Sequence, residues 1–384
     1  MIVDIASPIL FVLIFLFFAL FDVFGVKIKK AQHDLVLGLL LLGMVLFAGS
    51  RWSIWSTPDS YRIFDYAAYK HVFDNPLSII SFGDAYVSSD NYIRSMDPGY
   101  VFLSTLFAKI LPNVHVWFLL YSLTTIMFFY GALRRGKMTR YIFVVLFIYI
   151  ARLYFQYNFI MMRQALAMAI LWWSISYVGE RHFWKFLLCV TLASIQHFSA
   201  FIFLVVYWLP RFKLSNRFIY SSLGIAFAMT ILGLWDIIIQ GGIQVSLSAL
   251  GLDARLSGYI LDIQERDAGM NVLNLLEILP FFYFAMMYKK QMEETKEGHI
   301  FFNMFILYIF LLFVVIHFMA LARITSYFII PYLYIAHTAL SATINRNNRI
   351  LIWSIILVYF MIYATRFIIA NFTNNGYGFF LFHI

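Results

Sequence analysis

About a dozen apolar runs, separated by short loops rich in lysine and arginine, fix what this chain can fold into. The runs occupy roughly 8–26, 35–49, 98–111, 115–133, 141–157, 159–178, 185–209, 217–239, 272–288, 299–319, 322–343 and 350–370. Most are long enough for a helix to cross about 30 Å of hydrocarbon. Of the 384 residues, 63% are hydrophobic and 12% charged, a balance no water-soluble domain carries. The chain therefore reads as an all-α polytopic membrane protein, one integral domain over residues 1–384. Aromatic residues, at 20%, add bulk to helix interfaces and to the interfacial belts. The single cysteine, Cys189, excludes an internal disulfide. The first run follows no basic segment and no small-residue cleavage site, so it reads as a retained helix.

The net charge of +9 comes from loops rather than from a nucleic-acid-binding face. Six short loops, Lys27–Lys30, Arg134–Arg140, Arg181–Lys185, Arg211–Arg217, Lys289–Lys296 and Arg346–Arg349, hold more than half of the 28 lysines and arginines. The positive-inside rule assigns all six to the cytoplasm. That assignment requires residues 98–133 to make one net crossing and residues 185–209 to make none. A juxtamembrane or re-entrant helix at 98–111 and a short hairpin turning near His197 satisfy both conditions. Non-helical backbone at depth needs a buried or watery cavity beside it, so this topology places His197 next to one. It gives about ten transmembrane helices with both termini outside. The outer face then holds Arg51, the loop 50–97, Arg163, the loop 240–271 and Arg323.

Cations at the mouths of apolar helices are costly unless they meet water, a partner or an anionic ligand. Arg51 follows one apolar run, Arg163-Gln164 opens another, and Arg323 lies between two. A guanidinium offers a planar fork of donors suited to phosphate oxygens, although Arg163 has the alternative of snorkelling to headgroups. Arg323 and Tyr327 are i and i+4, hence on one helix face, so a guanidinium and a phenol could reach the same ligand. In the first outer loop, Asp59, Tyr61 and Asp65 alternate carboxylates with phenols, a pattern that holds sugars or simply forms a solvated surface. Asp97 precedes Pro98 at a helix start, where it can cap free N–H groups, act as a base or orient a hydroxyl. His197 sits midway through its run and can serve as base or phosphate donor. The remaining histidines show no metal-ligand spacing, and no phosphate-binding loop or dinucleotide fingerprint is present, so no metal or cofactor is expected.

The sequence resembles the EpsG/Wzy-like family of bacterial O-antigen and exopolysaccharide polymerases over about residues 40 to 340. The matching elements are Arg51, Asp59 within Thr57-Pro58-Asp59-Ser60-Tyr61, and Asp97-Pro98. They continue with Arg163-Gln164-Ala165-Leu166-Ala167, His197-Phe198-Ser199-Ala200, and Arg323 with Tyr327. Two positions depart from the family pattern: Pro58 precedes Asp59 where a glycine-containing element is usual, and Asp97 replaces a glutamate. The resemblance implies a fold like the C-type membrane glycosyltransferases, located in the bacterial inner membrane with its site facing outward. It implies transfer of a glycan from undecaprenyl diphosphate onto a second lipid-linked repeat unit. The lipid-linked oligosaccharide, membrane lipids and a chain-length regulator would be its partners, and no nucleic acid.

For such a transfer, Arg51, Arg163 and Arg323, with Gln164 and Tyr327, would hold the departing diphosphate, replacing a metal. His197, Asp59 or Asp97 would take the proton of the attacking hydroxyl, while Tyr61 and Asp65 would contact sugar. Direct displacement would invert the anomeric carbon. Two other classes fit the composition: a flippase or exporter of lipid-linked oligosaccharide, using the same arginines only to bind, and a membrane O-acyltransferase, whose histidine would face a cytoplasmic donor. A ligase is a near neighbour within the enzyme reading.

Overall fold

The apolar runs fold as helices in the computed structural model, which describes residues 5–53, 65–94, 96–241, 272–343, 345–373 and 377–379. The chain falls into two compact units, one of residues 1–176, 184–201 and 336–384, the other of 177–183 and 202–335. The first unit begins with α1 (Ala6–Phe24), α2 (Lys30–Gly49) and a short strand β1 (Arg51–Ser53). Its next segment carries α3 (Asp65–Asp74), α4 (Phe82–Ser88) and α5 (Asn91–Arg94). Next come α6 (Pro98–Ile110), α7 (Val114–Arg135) and α8 (Ile142–Tyr149), which continues as a π-helix to Ile160. α9 (Met162–Gly179), α10 (Phe183–Gln196) and the helix Arg346–Ile368 follow, and the unit closes with strand β2 (Tyr377–Phe379). β1 and β2 pair antiparallel, with Arg51 opposite Phe379. This ladder has no counterpart in the all-helical expectation, because three residues are too few to show a two-residue period.

Among the described residues six helices are long and apolar enough to cross a membrane: Ala6–Phe24, Lys30–Gly49, Val114–Arg135, Ile142–Ile160, Lys296–Val315 and Arg346–Phe372. A seventh candidate, Asn216–Ile231 with Leu234–Gly241, bends by 82° beside Gly233, which lies in the left-handed region. Leu351, Ile355, Val358 and Ile362 form an exposed stripe along one face of the Arg346–Ile368 helix. An apolar face of that length left open to water is costly, and lipid covers it without penalty. The protein is a multi-pass, α-helical membrane protein.

The count falls short of about ten simple spans because several apolar runs are interrupted. α6 has 13 residues, a rise of about 20 Å, too short to cross. The run 272–288 carries Pro280 inside its helix. The run 322–343 changes from the α-helix Met319–Thr325 to a 3₁₀ turn, Ser326–Phe328, before Pro331–Ala342 resumes. The run 185–209 breaks at His197 into α10 and a 3₁₀ helix, Phe198–Tyr207. The Tyr207 hydroxyl donates to the Arg181 carbonyl at 3.1 Å and its ring meets Phe183 edge-on at 5.0 Å. The run thus goes out and returns, two arms of about 20 Å each.

The first unit has two chemically distinct ends. At one, Gly25 takes the left-handed conformation (φ 67°) that ends α1, and Arg349 donates to the Val23 carbonyl at 3.0 Å. Asp22 accepts from the Phe143 and Val144 amides at 2.9 and 3.1 Å, so a carboxyl group caps the start of α8. Arg135, at the end of α7, donates to Ser176 at 2.9 Å. The basic loops Lys27–Lys30, Arg134–Arg140 and Arg346–Arg349 flank this end. The opposite end carries Arg51, Asp97, Arg163 and His197.

Candidate active site

Asp97 occupies the N-cap of α6, with extended backbone (φ −69°, ψ 139°) and Pro98 in the first turn. Its side chain does not cap the helix. It turns instead toward two other elements, where one carboxylate oxygen accepts from both Arg163 Nη1 and His197 Nδ1, the latter at 3.1 Å. The other oxygen accepts from the Phe198 amide at 3.1 Å. Asp97 thus joins an arginine to a histidine, a pairing that none of the three roles read from the sequence describes.

Local sequence explains how three distant segments meet. Met161 breaks the backbone between the π-helix and α9, which places Arg163 in the first turn of α9. A cation there opposes the helix dipole, and the adjacent Asp97 carboxylate offsets that penalty. His197 ends α10, its amide still donating to the Ala193 carbonyl at 2.9 Å. Gly99 lets the first turn of α6 press on the last turn of α10. A Cβ at that position would lie 2.3 Å from Ile195 Cγ2 and 2.6 Å from the Ile195 carbonyl oxygen. Gly99→Ala is therefore expected to lower stability by about 1–3 kcal/mol. It should also separate Asp97 from His197. Thermal unfolding checks the first effect, and an unchanged unfolding temperature would contradict the close-approach argument.

The cluster is largely shielded yet reachable, with side-chain exposures of 14% for Asp97, 15% for Arg163 and 24% for His197. Burial pushes the Asp97 carboxyl up, but the His197 hydrogen bond, the Arg163 charge and the Phe198 amide outweigh it and hold the group below its ordinary value. An ionised carboxylate only accepts hydrogen bonds, so His197 Nδ1 carries the proton. In a neutral ring Nε2 then bears the lone pair, and it makes no hydrogen bond among the described residues. The arrangement can hold a base in one orientation beside a fixed cation.

Beneath the cluster lies a wall of aromatic side chains. The Arg163 guanidinium stands 5.7 Å from the Tyr69 ring centroid, and the Tyr69 and Tyr100 rings are 5.2 Å apart. Burial pushes the Tyr100 phenol up to about 12, so it remains a donor, directed at the Tyr69 carbonyl. Tyr121 packs on Tyr100 and donates to Gln196 at 3.2 Å. Sequence reasoning missed Tyr69, Tyr121 and Gln196. Gln196 carried a signal, since it adjoins His197; the tyrosines did not stand out among 25 in the chain.

The other expected residues are placed differently. Arg51 is buried: its Nε donates to the Ala48 carbonyl at 2.7 Å and its Nη1 to the Phe159 carbonyl at 3.1 Å. The cation sits on the carbonyl-rich ends of α2 and the π-helix, where helix dipoles favour it. Gln164 is also buried. Arg323 and Tyr327, in the second unit, do not present one face. Arg323 is exposed and Tyr327 fully buried, because the switch to a 3₁₀ turn at Ser326 removes the four-residue register. Asp65 begins α3 without a described side chain, while Asp59 and Tyr61 lie outside the described residues. The second unit contains a pair the sequence reading passed over, with His317 Nδ1 3.0 Å from each Asp236 carboxylate oxygen. Among the described residues no three His, Cys, Asp or Glu side chains converge as metal ligands.

A sequence model described as the EpsG family matches residues 34–382. No curated protein and no solved structure matches the chain.

Proposed function

Since the chain belongs to the EpsG family, whose membership points to a polysaccharide-polymerase-like activity, we propose that it transfers a glycan from undecaprenyl diphosphate onto a lipid-linked repeat unit. The observation that carries this reading is the single carboxylate of Asp97 binding both His197 and Arg163. In the proposed reaction, an acceptor hydroxyl attacks the anomeric carbon and the carbon–oxygen bond to the diphosphate breaks. The hydroxyl proton passes to His197 Nε2, and the electron pair of the broken bond leaves on the diphosphate, which Arg163 stabilises. One-step displacement inverts the anomeric centre. Asp97 is a positioning residue here, too well stabilised as an anion to take the proton itself. Arg51 fixes the helix ends that carry the site. Arg323, exposed in the second unit, is a separate candidate for phosphate binding.

The orientation follows from charge. The basic loops flank one end of the first unit and the cluster lies at the other, so the positive-inside rule puts the cluster at the outer face of the cytoplasmic membrane. On this reading the fold is of the C-type membrane glycosyltransferase kind with about ten crossings, beyond the six or seven candidate spans among the described residues. Deleting the gene should leave a carrier or core bearing one repeat unit on a surface-glycan gel, with the ladder restored by wild type but not by Arg163→Ala. Complete loss of the glycan, or an intact ladder lacking only an acyl group, would overturn the reading in favour of export or acyl transfer.

A further inference from the structure

The second unit contains a cavity of about 740 Å³ that the proposed transfer does not use. Three basic loops meet there. Arg181 comes from the end of α9, Lys213 from the segment after the 3₁₀ turn Leu209–Arg211, and Lys296 from the first turn of the Lys296–Val315 helix. His299 and the carboxylates Glu293 and Glu294 complete the charged lining.

The walls are built rather than accidental. Lys289 ties the loop to its neighbour by donating to Asn216 Oδ1 at 2.9 Å and to the Leu214 carbonyl. Asn303 is buried and donates to the Leu209 and Phe212 carbonyls, each at 2.9 Å. Thr295 caps the Lys296–Val315 helix through the Gly298 amide at 3.0 Å, so the positive end of that dipole lies at the cavity. Arg181 adopts φ 61°, the left-handed conformation that favours glycine. Its amide closes the α9 terminus on the Val178 carbonyl at 3.2 Å, a role glycine fills without strain. Keeping an arginine in that strained position, with its side chain lining a cavity, points to a use for the guanidinium.

Three cations against two carboxylates leave one positive charge, and Lys289, 3.7 Å from Glu293, offsets part of the acidic lining. A polyphosphate would be repelled by the glutamates, whereas a group of one or two negative charges matches. We propose that this cavity binds a single phosphate group, with Arg181 supplying the bidentate contact and Lys213 and Lys296 the surrounding charge. The source is a phospholipid headgroup or a small soluble phosphate ester. Basic pockets among membrane helices hold such headgroups by the same chemistry.

Arg181→Gly separates binding from folding, because glycine relieves the left-handed strain while removing the guanidinium. The full-length protein in detergent would be titrated with dioleoylphosphatidylglycerol by native mass spectrometry and with glycerol 3-phosphate by calorimetry. Arg181→Gly should unfold at or above the wild-type temperature and bind its phosphate at least about 10-fold more weakly. Lipid retained on wild type, lost on the variant and not displaced by glycerol 3-phosphate identifies a headgroup site. Direct, variant-sensitive binding of glycerol 3-phosphate identifies a soluble ligand. Lys213→Ala, at a position without backbone strain, provides the same readout should Arg181→Gly not fold. Equal affinity of wild type and the folded variants for both probes would overturn the proposal.

Discussion

With His197 as the base of the proposed transfer, His197→Gln should lower glycan transfer by about 100- to 10,000-fold while the protein unfolds close to the wild-type temperature. Glutamine can still donate to the Asp97 carboxylate that His197 Nδ1 now contacts at 3.1 Å, so the Arg163–Asp97 contact and the α10 break keep their partners. What glutamine lacks is a basic nitrogen on the other side of the ring. Phe198 keeps its amide contact with Asp97, so the turn itself does not depend on the imidazole. Rates from purified protein, set beside thermal unfolding, distinguish a lost base from a lost fold. A variant that turns over like wild type would remove His197 from the chemistry.

The second large effect lies in the carboxylate. Asp97→Ala strands Arg163, whose side chain is 15% exposed, without its counter-charge and should cost about 3 kcal/mol, the scale for breaking a shielded ion pair from one side. Asp97→Ala combined with Arg163→Met should recover most of that stability, since no uncompensated charge remains, yet recover no transfer. The same pair has a pH signature. Because the folded state holds the Asp97 carboxyl below its ordinary value, its stabilisation is fully present above about pH 4 and is lost as pH falls through the lowered folded value. The stability gap between wild type and Asp97→Asn should narrow as pH falls below about 4. A gap that keeps its full size as pH falls through that range would contradict the assignment of Asp97 as the anion.

Much of this arrangement was legible in the residues before the fold was known. Charge counting required residues 185–209 to make no net crossing, and the Tyr207–Arg181 contact shows the run returning to its start. Arg163, His197 and Asp97 could be singled out because each is polar in an apolar setting, where an unsatisfied group is expensive. Their mutual contact was not readable, since it depends on Gly99 admitting α6 against Ile195 and on the break at Met161. Arg51 at a helix exit looks available for a ligand, and the sequence does not show that the carbonyl ends of two helices accept from two of its nitrogens. Arg323 and Tyr327 misled through helical periodicity, which a single 3₁₀ turn at Ser326 cancels.

The most direct test reconstitutes the purified protein in proteoliposomes with an undecaprenyl-diphosphate-linked repeat unit and follows product length on a gel. Wild type should build a ladder. His197→Gln and Arg163→Ala should leave the substrate at one unit, although the His197→Gln variant still retains the labelled lipid. A ladder from His197→Gln matching that of wild type, or movement of the labelled lipid across the bilayer by wild type with no ladder at all, would contradict the account.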